Sequence, residues 1–105
     1  MRIFLIDRYK NSYDIAKKLK ENGIENIDIK EECKFKTTKN DIIILMDNSD
    51  YEGLSKTSMI ILITKNKDAK FIWWFINTYN CIDVIDIGND RSIILDRLIK
   101  RTKMN

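Results

Sequence analysis

The stretch RIFLID, residues 2–7, contains an apolar run, residues 3–6, that ends at an aspartate. A continuous apolar run of this length is typical of a β-strand buried on both faces, as in a parallel sheet covered by helices. The same pattern returns in DIIILMD, residues 41–47, and in MIILIT, residues 59–64. The sequence therefore predicts a parallel sheet with a polar residue at the carboxyl end of each of these three strands.

The segments beside the first strand carry a helical pattern and an alternating pattern. NSYDIAKKLKENG, residues 11–23, predicts an amphipathic helix that is capped by Asn11 or Ser12 and ended by Gly23. IENIDI, residues 24–29, alternates between apolar and polar positions and predicts a strand near the edge of the sheet.

The second half of the chain completes an alternation of strands and helices. KDAKFIWWFINTYN, residues 67–80, predicts a helix, CIDVIDI, residues 81–87, predicts a fifth strand, and a last helix begins near Asp90. Residues 30–40 and 49–58 are too short and too polar for full helices. Strands that alternate with helical connections favour an α/β fold with a doubly wound, five-stranded parallel sheet.

Composition limits the classes of protein that fit this chain. Its 105 residues, 44% of them hydrophobic and 33% charged, predict one globular domain, residues 1–105, which we expect to be the N-terminal part of a longer protein. The longest apolar run, FIWWFI, is far shorter than the roughly 20 residues that a membrane span needs, and no signal peptide is recognisable. The net charge of +3 is spread along the chain, apart from a basic end, RLIKRTK, and is weak evidence for nucleic-acid binding.

The inventory of metal-binding and nucleophilic residue types is also limiting. The chain has two cysteines, Cys33 and Cys81, without a CxxC spacing, and it has no histidine. This excludes a structural zinc site of the usual type and a Cys-His nucleophile. We expect two buried free thiols in a reducing, cytoplasmic protein.

Polar residues that end neighbouring strands are the candidate functional site. Ligands of doubly wound sheets bind at the carboxyl ends of the strands. Asp7, Asp47 and Thr64 all fall at such ends, and Arg8 follows Asp7 directly. Because a cation within about 4 to 6 Å favours an ionised carboxylate, Arg8 is a candidate counter-charge for both aspartates.

The order of these elements resembles the receiver domain of bacterial response regulators, the CheY-like fold, over the whole chain. RIFLIDR resembles the first strand of that family with its acidic end, and NDIIILMDN resembles the strand that presents the phosphate-accepting aspartate. CIDVIDIGNDRSIILDRLIK resembles the last strand and helix. The resemblance implies a flavodoxin-like sheet in which the second and third helices are shortened or missing.

The resemblance also assigns roles, and it implies a degenerate phosphoacceptor pocket. Asp7 matches the first acid of the acidic pair, Asp47 matches the phosphoacceptor, and Thr64 matches the hydroxyl that switches. Arg8 replaces the second acid, which binds magnesium most directly in the family, and Ile87 replaces the lysine at the end of the fifth strand. We therefore expect no magnesium or other metal, no cofactor, no catalytic residue and no enzymatic activity.

The aromatic helix predicted over residues 68–79 is apolar almost all round, and such helices are normally buried all round. Ile72, Ile76 and Tyr79 share the face that we expect to pack on the sheet. The rest of the helix is left for a partner, because Trp and Tyr dominate the energetics of protein interfaces. The predicted partner interface comprises four aromatic residues: Phe71, Trp73, Trp74 and Phe75. Cover by a terminal segment, or a tryptophan lying flat on the surface, is the alternative.

These observations favour an atypical receiver-like signalling module that is independent of phosphorylation. It would act as a homodimer, or by docking to a protein partner, through residues 68–79 and the last strand and helix. One alternative is a phosphorelay receiver phosphorylated at Asp47, with Lys65 or Arg8 in place of the missing lysine. Another is the N-terminal pseudo-receiver of a DNA-binding regulator or of a ParA/MinD-like pilus-assembly ATPase, so that nucleic acid is contacted only through an attached domain. A flavodoxin-like or phosphotransferase enzyme is disfavoured, because the loop DRYKNS has neither a glycine run nor a cysteine.

Overall fold

The computed structural model describes residues 1–9, 12–47 and 49–103 of the chain. The described residues form five strands and three helices: β1 (Ile3–Ile6), α1 (Tyr13–Glu21), β2 (Ile27–Lys30), β3 (Ile42–Met46), β4 (Met59–Thr64), α2 (Ala69–Thr78), β5 (Cys81–Asp86) and α3 (Arg91–Lys103). The strands form one parallel sheet in the order β2-β1-β3-β4-β5, which is the order of flavodoxin-like sheets. The predicted α/β class and five-stranded parallel sheet are confirmed, and β2 lies at an edge as expected.

The central strands are continuously apolar because both faces of the sheet are covered. Every side chain of β1 and β3 is buried. On one face, α1 and α3 pack side by side and bury Ile15 and Leu19 from α1 with Ile94 and Leu98 from α3. Each such apolar side chain stabilises the fold by roughly 1.5–3 kcal/mol when it is fully buried.

The other face of the sheet is covered by α2 and by two connections without a helix. Neither residues 31–41 nor the described residues between Asp47 and Ser58 form a helix, as the lengths of these segments predicted. Cys33 and Leu54 from these connections join Phe75 of α2 in one apolar cluster. The two connections also touch each other, because a Cβ atom added at Gly53 would lie 2.2 Å from the carbonyl oxygen of Cys33.

The helix α1 begins and ends where the sequence predicted. Ser12 is its N-cap residue, and Asn11, the alternative cap, lies outside the described residues. The chain leaves the helix through Gly23, whose φ of +88° lies in the left-handed region that glycine adopts without strain.

The amino end of the sheet is fixed by a buried carboxylate. Asp41 is 2% exposed, and its Oδ1 and Oδ2 accept hydrogen bonds from Nε and Nη2 of Arg2 at 3.1 and 2.7 Å. The main-chain N–H of Thr38 donates a further bond to Oδ2 at 2.8 Å. These bonds, with the hydrogen bond from Arg2 first among them, hold the pKa of the Asp41 carboxyl below its usual range.

The strand β5 forms the second edge of the sheet and is irregular. Its register against β4 shifts between Ile60 and Ile61, so the strand carries a bulge. Next to the bulge, Asp83 accepts hydrogen bonds from Arg97 and Arg101 of α3. The main chain of Val84 is bonded to two of these residues: its N–H donates to the Asp83 carboxylate, and its carbonyl accepts from Arg97.

None of the three helices in the described ranges combines the length and the apolar character that a membrane crossing requires.

Candidate functional site

The carboxyl ends of β1, β3 and β4 carry the residues that the sequence singled out. Asp7 follows the last residue of β1, Asp47 follows the last residue of β3, and Thr64 is the last residue of β4. The strands β1, β3 and β4 are consecutive neighbours in the sheet. The two carboxylates and the hydroxyl therefore lie along one edge, although they make different contacts there.

Asp7 is bonded within its own loop. It is 1% exposed; its Oδ2 accepts a hydrogen bond from the Ser12 hydroxyl at 2.6 Å, and its Oδ1 accepts one from the Tyr9 main-chain N–H at 3.2 Å. The Ser12 hydroxyl is thus directed to Asp7 and makes no capping bond to the start of α1. These contacts join the end of β1 to the main chain of Tyr9 and to the residue that precedes α1.

Ser49 links the loop after β3 to the end of β1, and sequence reasoning missed it. Its buried hydroxyl donates to the Ile6 carbonyl at 3.2 Å and accepts from the Arg8 main-chain N–H at 3.2 Å. The Arg8 side chain is exposed. Its role as a counter-charge for Asp7 and Asp47 stays a prediction.

Asp47 and Thr64 form the contact that the site depends on. The Thr64 hydroxyl lies 3.5 Å from Oδ2 of Asp47, and the Lys65 main-chain N–H donates to the same oxygen at 2.9 Å. Thr64 Oγ1 also accepts from the Asn66 N–H at 2.9 Å, which fixes the rotamer of the hydroxyl. Asp47 is half-buried, so its carboxylate is both oriented by the start of the next loop and accessible.

A cleft of about 220 Å³ opens beside this contact, on the face of the sheet that α2 covers. We call it the Asp47 cleft. Its polar lining comes from Asp47, Ser49, Thr64 and Asn66, and its aromatic lining from Tyr51 and Phe71. The aromatic part could not be predicted, because Tyr51 and Phe71 are 20 residues apart in the sequence and lie in unrelated patterns.

The fifth strand ends in a further carboxylate that sequence reasoning did not single out. Asp86 lies opposite Thr64 in the register of β4 and β5. It accepts a hydrogen bond from the Gly88 N–H at 2.8 Å, and Lys67 Nζ lies 3.7 Å from its Oδ2. Within the described ranges, however, no group of three or more carboxylate or thiol side chains lies close enough to hold a metal ion.

The two cysteines are free thiols, as the sequence predicted. Cys33 is buried as predicted, whereas Cys81 is only partly buried. Burial raises the pKa of both thiols above the ordinary value. Because the thiolate is the nucleophilic form, this shift lowers the nucleophilicity of both thiols at neutral pH.

The helix α2 presents a different face to the sheet from the one that we predicted. Phe75 is fully buried and Phe71 partly buried, whereas Ile76 is 43% exposed. The prediction that Ile76 packs on the sheet, and the assignment of Phe75 to a partner interface, are therefore wrong. Phe71 and Phe75 lie one turn apart, and Tyr79 lies one turn further on, so these three side chains form the inner stripe.

The outer side of α2 carries the two tryptophans. Trp73 is 70% exposed, and it makes no ring contact with another aromatic side chain in the described part of the chain. Trp74 is 44% exposed and packs one side against Tyr51 and Tyr79, with ring centroids 5.9 and 6.2 Å away. We call Trp73, Trp74 and Ile76 the tryptophan surface.

Comparisons of the chain with protein-family models, with curated proteins and with solved structures gave no match. The resemblance to receiver domains therefore rests on the residues of this chain and on its strand order alone.

Proposed function

We propose that the chain is an atypical receiver-like signalling module that acts by docking to a protein, independently of phosphorylation, through the tryptophan surface. The exposure of Trp73, next to Trp74 and Ile76, is the observation that carries this proposal. Tryptophan is strongly enriched among the residues that dominate binding energy at interfaces. The flavodoxin-like strand order and the positions of Asp7, Asp47 and Thr64 support the receiver-like part of the proposal.

The charge pattern around α2 favours a second copy of this chain as the partner. Residues 71–82 contain no charged side chain, although charged residues make up 33% of the whole sequence. In a two-fold symmetric dimer each patch meets the same patch of its partner, so a charge close to the two-fold axis would face its own copy. An uncharged aromatic surface avoids that repulsion and suits a homodimer.

Sedimentation equilibrium over a wide concentration range tests this proposal. We expect the wild-type mass to rise from monomer to dimer. We expect Trp73→Ala to raise the dissociation constant at least about tenfold, since truncation of a hot-spot residue often costs about 2 kcal/mol or more. The matched control is Tyr13→Ala, which removes another aromatic residue, 60% exposed on α1, and should leave association unchanged.

Two outcomes would argue against the homodimer. A wild-type chain that stays monomeric over the whole range would remove the second copy as the partner. An equal effect of Trp73→Ala and Tyr13→Ala would show that association, if present, does not use the tryptophan surface.

A phosphorelay receiver phosphorylated at Asp47 is the second candidate function. The half-buried Asp47 carboxylate, 3.5 Å from the Thr64 hydroxyl, is the observation that favours it. Against it stand Arg8 and Ile87, at positions where the receiver family has an acid and a lysine. Incubation with magnesium and acetyl phosphate, followed by intact mass measurement, separates the two candidates. We expect no phosphoryl adduct, and an adduct that forms on the wild type but not on Asp47→Asn would support the phosphorelay.

A further inference from the structure

The Asp47 cleft contains one acidic side chain among its described lining residues, that of Asp47; no lysine or arginine side chain is part of that lining. Its Oδ2 is bonded to Lys65 N–H and lies 3.5 Å from the Thr64 hydroxyl, whereas Oδ1 accepts no hydrogen bond from the described residues. An anion in the cleft would face a like charge. A neutral ligand would cover the carboxylate without supplying a positive charge, which is costly.

The walls of the cleft add a second attraction for a cation. Tyr51 and Phe71 both line it, with ring centroids 6.4 Å apart and ring planes inclined at 55°. Aromatic faces attract a cation that comes within about 6 Å of the ring centroid, and substituted ammonium groups are recognised by aromatic cages in this way.

The size and place of the cleft limit the ligand further. A volume of about 220 Å³ is below the roughly 300–1,000 Å³ of most pockets for drug-sized ligands. The cleft lies at the carboxyl ends of β3 and β4, where ligands of doubly wound sheets bind. We propose that the Asp47 cleft binds a small organic ammonium ion, with Asp47 as its counter-charge and Tyr51 and Phe71 as its aromatic walls.

None of the residues of the tryptophan surface is among the lining residues of the cleft, although Trp74 packs against Tyr51 and Phe71. A failure of ammonium binding would therefore leave the docking proposal intact. The probe is choline, and the control ligand is 3,3-dimethylbutan-1-ol, which has the same shape without the charge. Titration of the ¹⁵N-labelled full chain at constant ionic strength follows the amide signals of Lys65, whose N–H donates to Asp47 Oδ2, and of Asn66, whose N–H donates to Thr64 Oγ1. We expect saturable shifts with choline, and binding of the neutral analogue that is at least about tenfold weaker.

Three variants test the roles of the residues. Asp47→Asn keeps the shape of the side chain and removes its charge, and we expect it to weaken choline binding at least about tenfold. Asp86→Asn makes the same change of charge at the end of β5, outside the cleft lining, and should leave binding within about twofold. Phe71→Leu keeps an apolar side chain without the ring, and should weaken choline more than the neutral analogue.

The result that would overturn the proposal is equally specific. The proposal fails if choline gives no saturable shift, if choline and its neutral analogue bind equally, or if Asp47→Asn and Asp86→Asn have the same effect. A thermal melt of each variant confirms that a loss of binding reflects the site and not unfolding.

Discussion

Two aromatic residues of α2, Trp73 and Phe75, provide a direct test of how this helix packs. Phe75 is fully buried, and its ring lies within 6.5 Å of the rings of Tyr51, Phe71, Trp74 and Tyr79. Trp73, two positions earlier, has the larger side chain but is 70% exposed. Truncation of the smaller residue is therefore expected to cost far more stability than truncation of the larger one.

The expected magnitudes follow from burial. Replacement of a buried Phe by Ala removes apolar contact and leaves a cavity, at a cost of about 3–5 kcal/mol. Replacement of an exposed residue usually changes the free energy of unfolding by less than about 0.5 kcal/mol, and Ala favours a helix slightly over Trp. At a urea m-value of about 1.3 kcal/mol/M, Phe75→Ala should lower the unfolding midpoint by roughly 2–4 M, and Trp73→Ala by less than about 0.4 M.

Urea unfolding followed by circular dichroism measures both changes, because this signal does not depend on the tryptophans. Low protein concentration keeps self-association from adding to the stability of the wild type. If Phe75→Ala does not fold, Phe75→Leu replaces it, with an expected cost of about 1–2 kcal/mol. Equal costs at positions 73 and 75 would refute the packing of α2 described above.

Three further predictions concern the scaffold. Because the folded-state pKa of Asp41 is lowered, its contribution to stability is present above the unfolded value of about 3.9 and is lost as the pH falls through the lowered pKa. The urea midpoints of wild type and Asp41→Asn should therefore differ at neutral pH, and the difference should shrink as the pH falls below about 3.9; a constant difference would contradict the assignment. Gly53→Ala should lower the melting temperature more than Gly88→Ala, because the new Cβ meets the Cys33 carbonyl oxygen at 2.2 Å, whereas at Gly88 the nearest atom is a side-chain oxygen at 3.2 Å. Gly23→Ala should cost about 1–2 kcal/mol in urea unfolding, and Gly23→Asn less, since Asn tolerates positive φ; the reverse order would argue against the left-handed turn.

Most of the fold could be predicted from the sequence because the buried strands leave a strong pattern. A strand covered on both faces must be apolar at every position, and this makes residues 42–46 and 59–64 recognisable without a structure. The short connections, residues 30–40 and 49–58, also excluded a full helix between β2 and β3 and between β3 and β4. The contact between Gly53 and Cys33 could not be predicted, since it joins two irregular segments whose paths follow from no local pattern.

The packing of α2 could not be predicted either, because its apolar pattern does not distinguish one face of the helix from another. Periodicity locates the inner face of a helix only where polar residues mark the outer face. Residues 71–76 are all apolar, so several stripes fitted the sheet equally well by pattern. The aromatic ring of Tyr51, which belongs to another segment of the chain, forms part of the surroundings of Phe75 and so contributes to the choice of stripe.

At the candidate site, the sequence predicted the positions of the residues but not their contacts. The ends of parallel strands share one edge, so the common position of Asp7, Asp47 and Thr64 follows from topology. The accessibility of each carboxylate depends on atoms of the loops. The Ser12 hydroxyl donates a hydrogen bond to Asp7, whereas Asp47 has one oxygen without a bond from the described residues. Such differences of a few ångströms have no signature in the spacing of residues.

The bonds around Val84 bear on how two copies of this chain could meet. An edge strand has unpaired main-chain N–H and C=O groups, which can pair with another strand and so lead to sheet extension and aggregation. At the middle of β5 these groups are already bonded, because the Val84 N–H donates to the Asp83 carboxylate and the Val84 carbonyl accepts from Arg97. A continuous sheet through two β5 strands would have to break these bonds at its centre. If two copies meet on this side of the molecule, contacts between side chains, such as those of the tryptophans of α2, would leave these bonds intact.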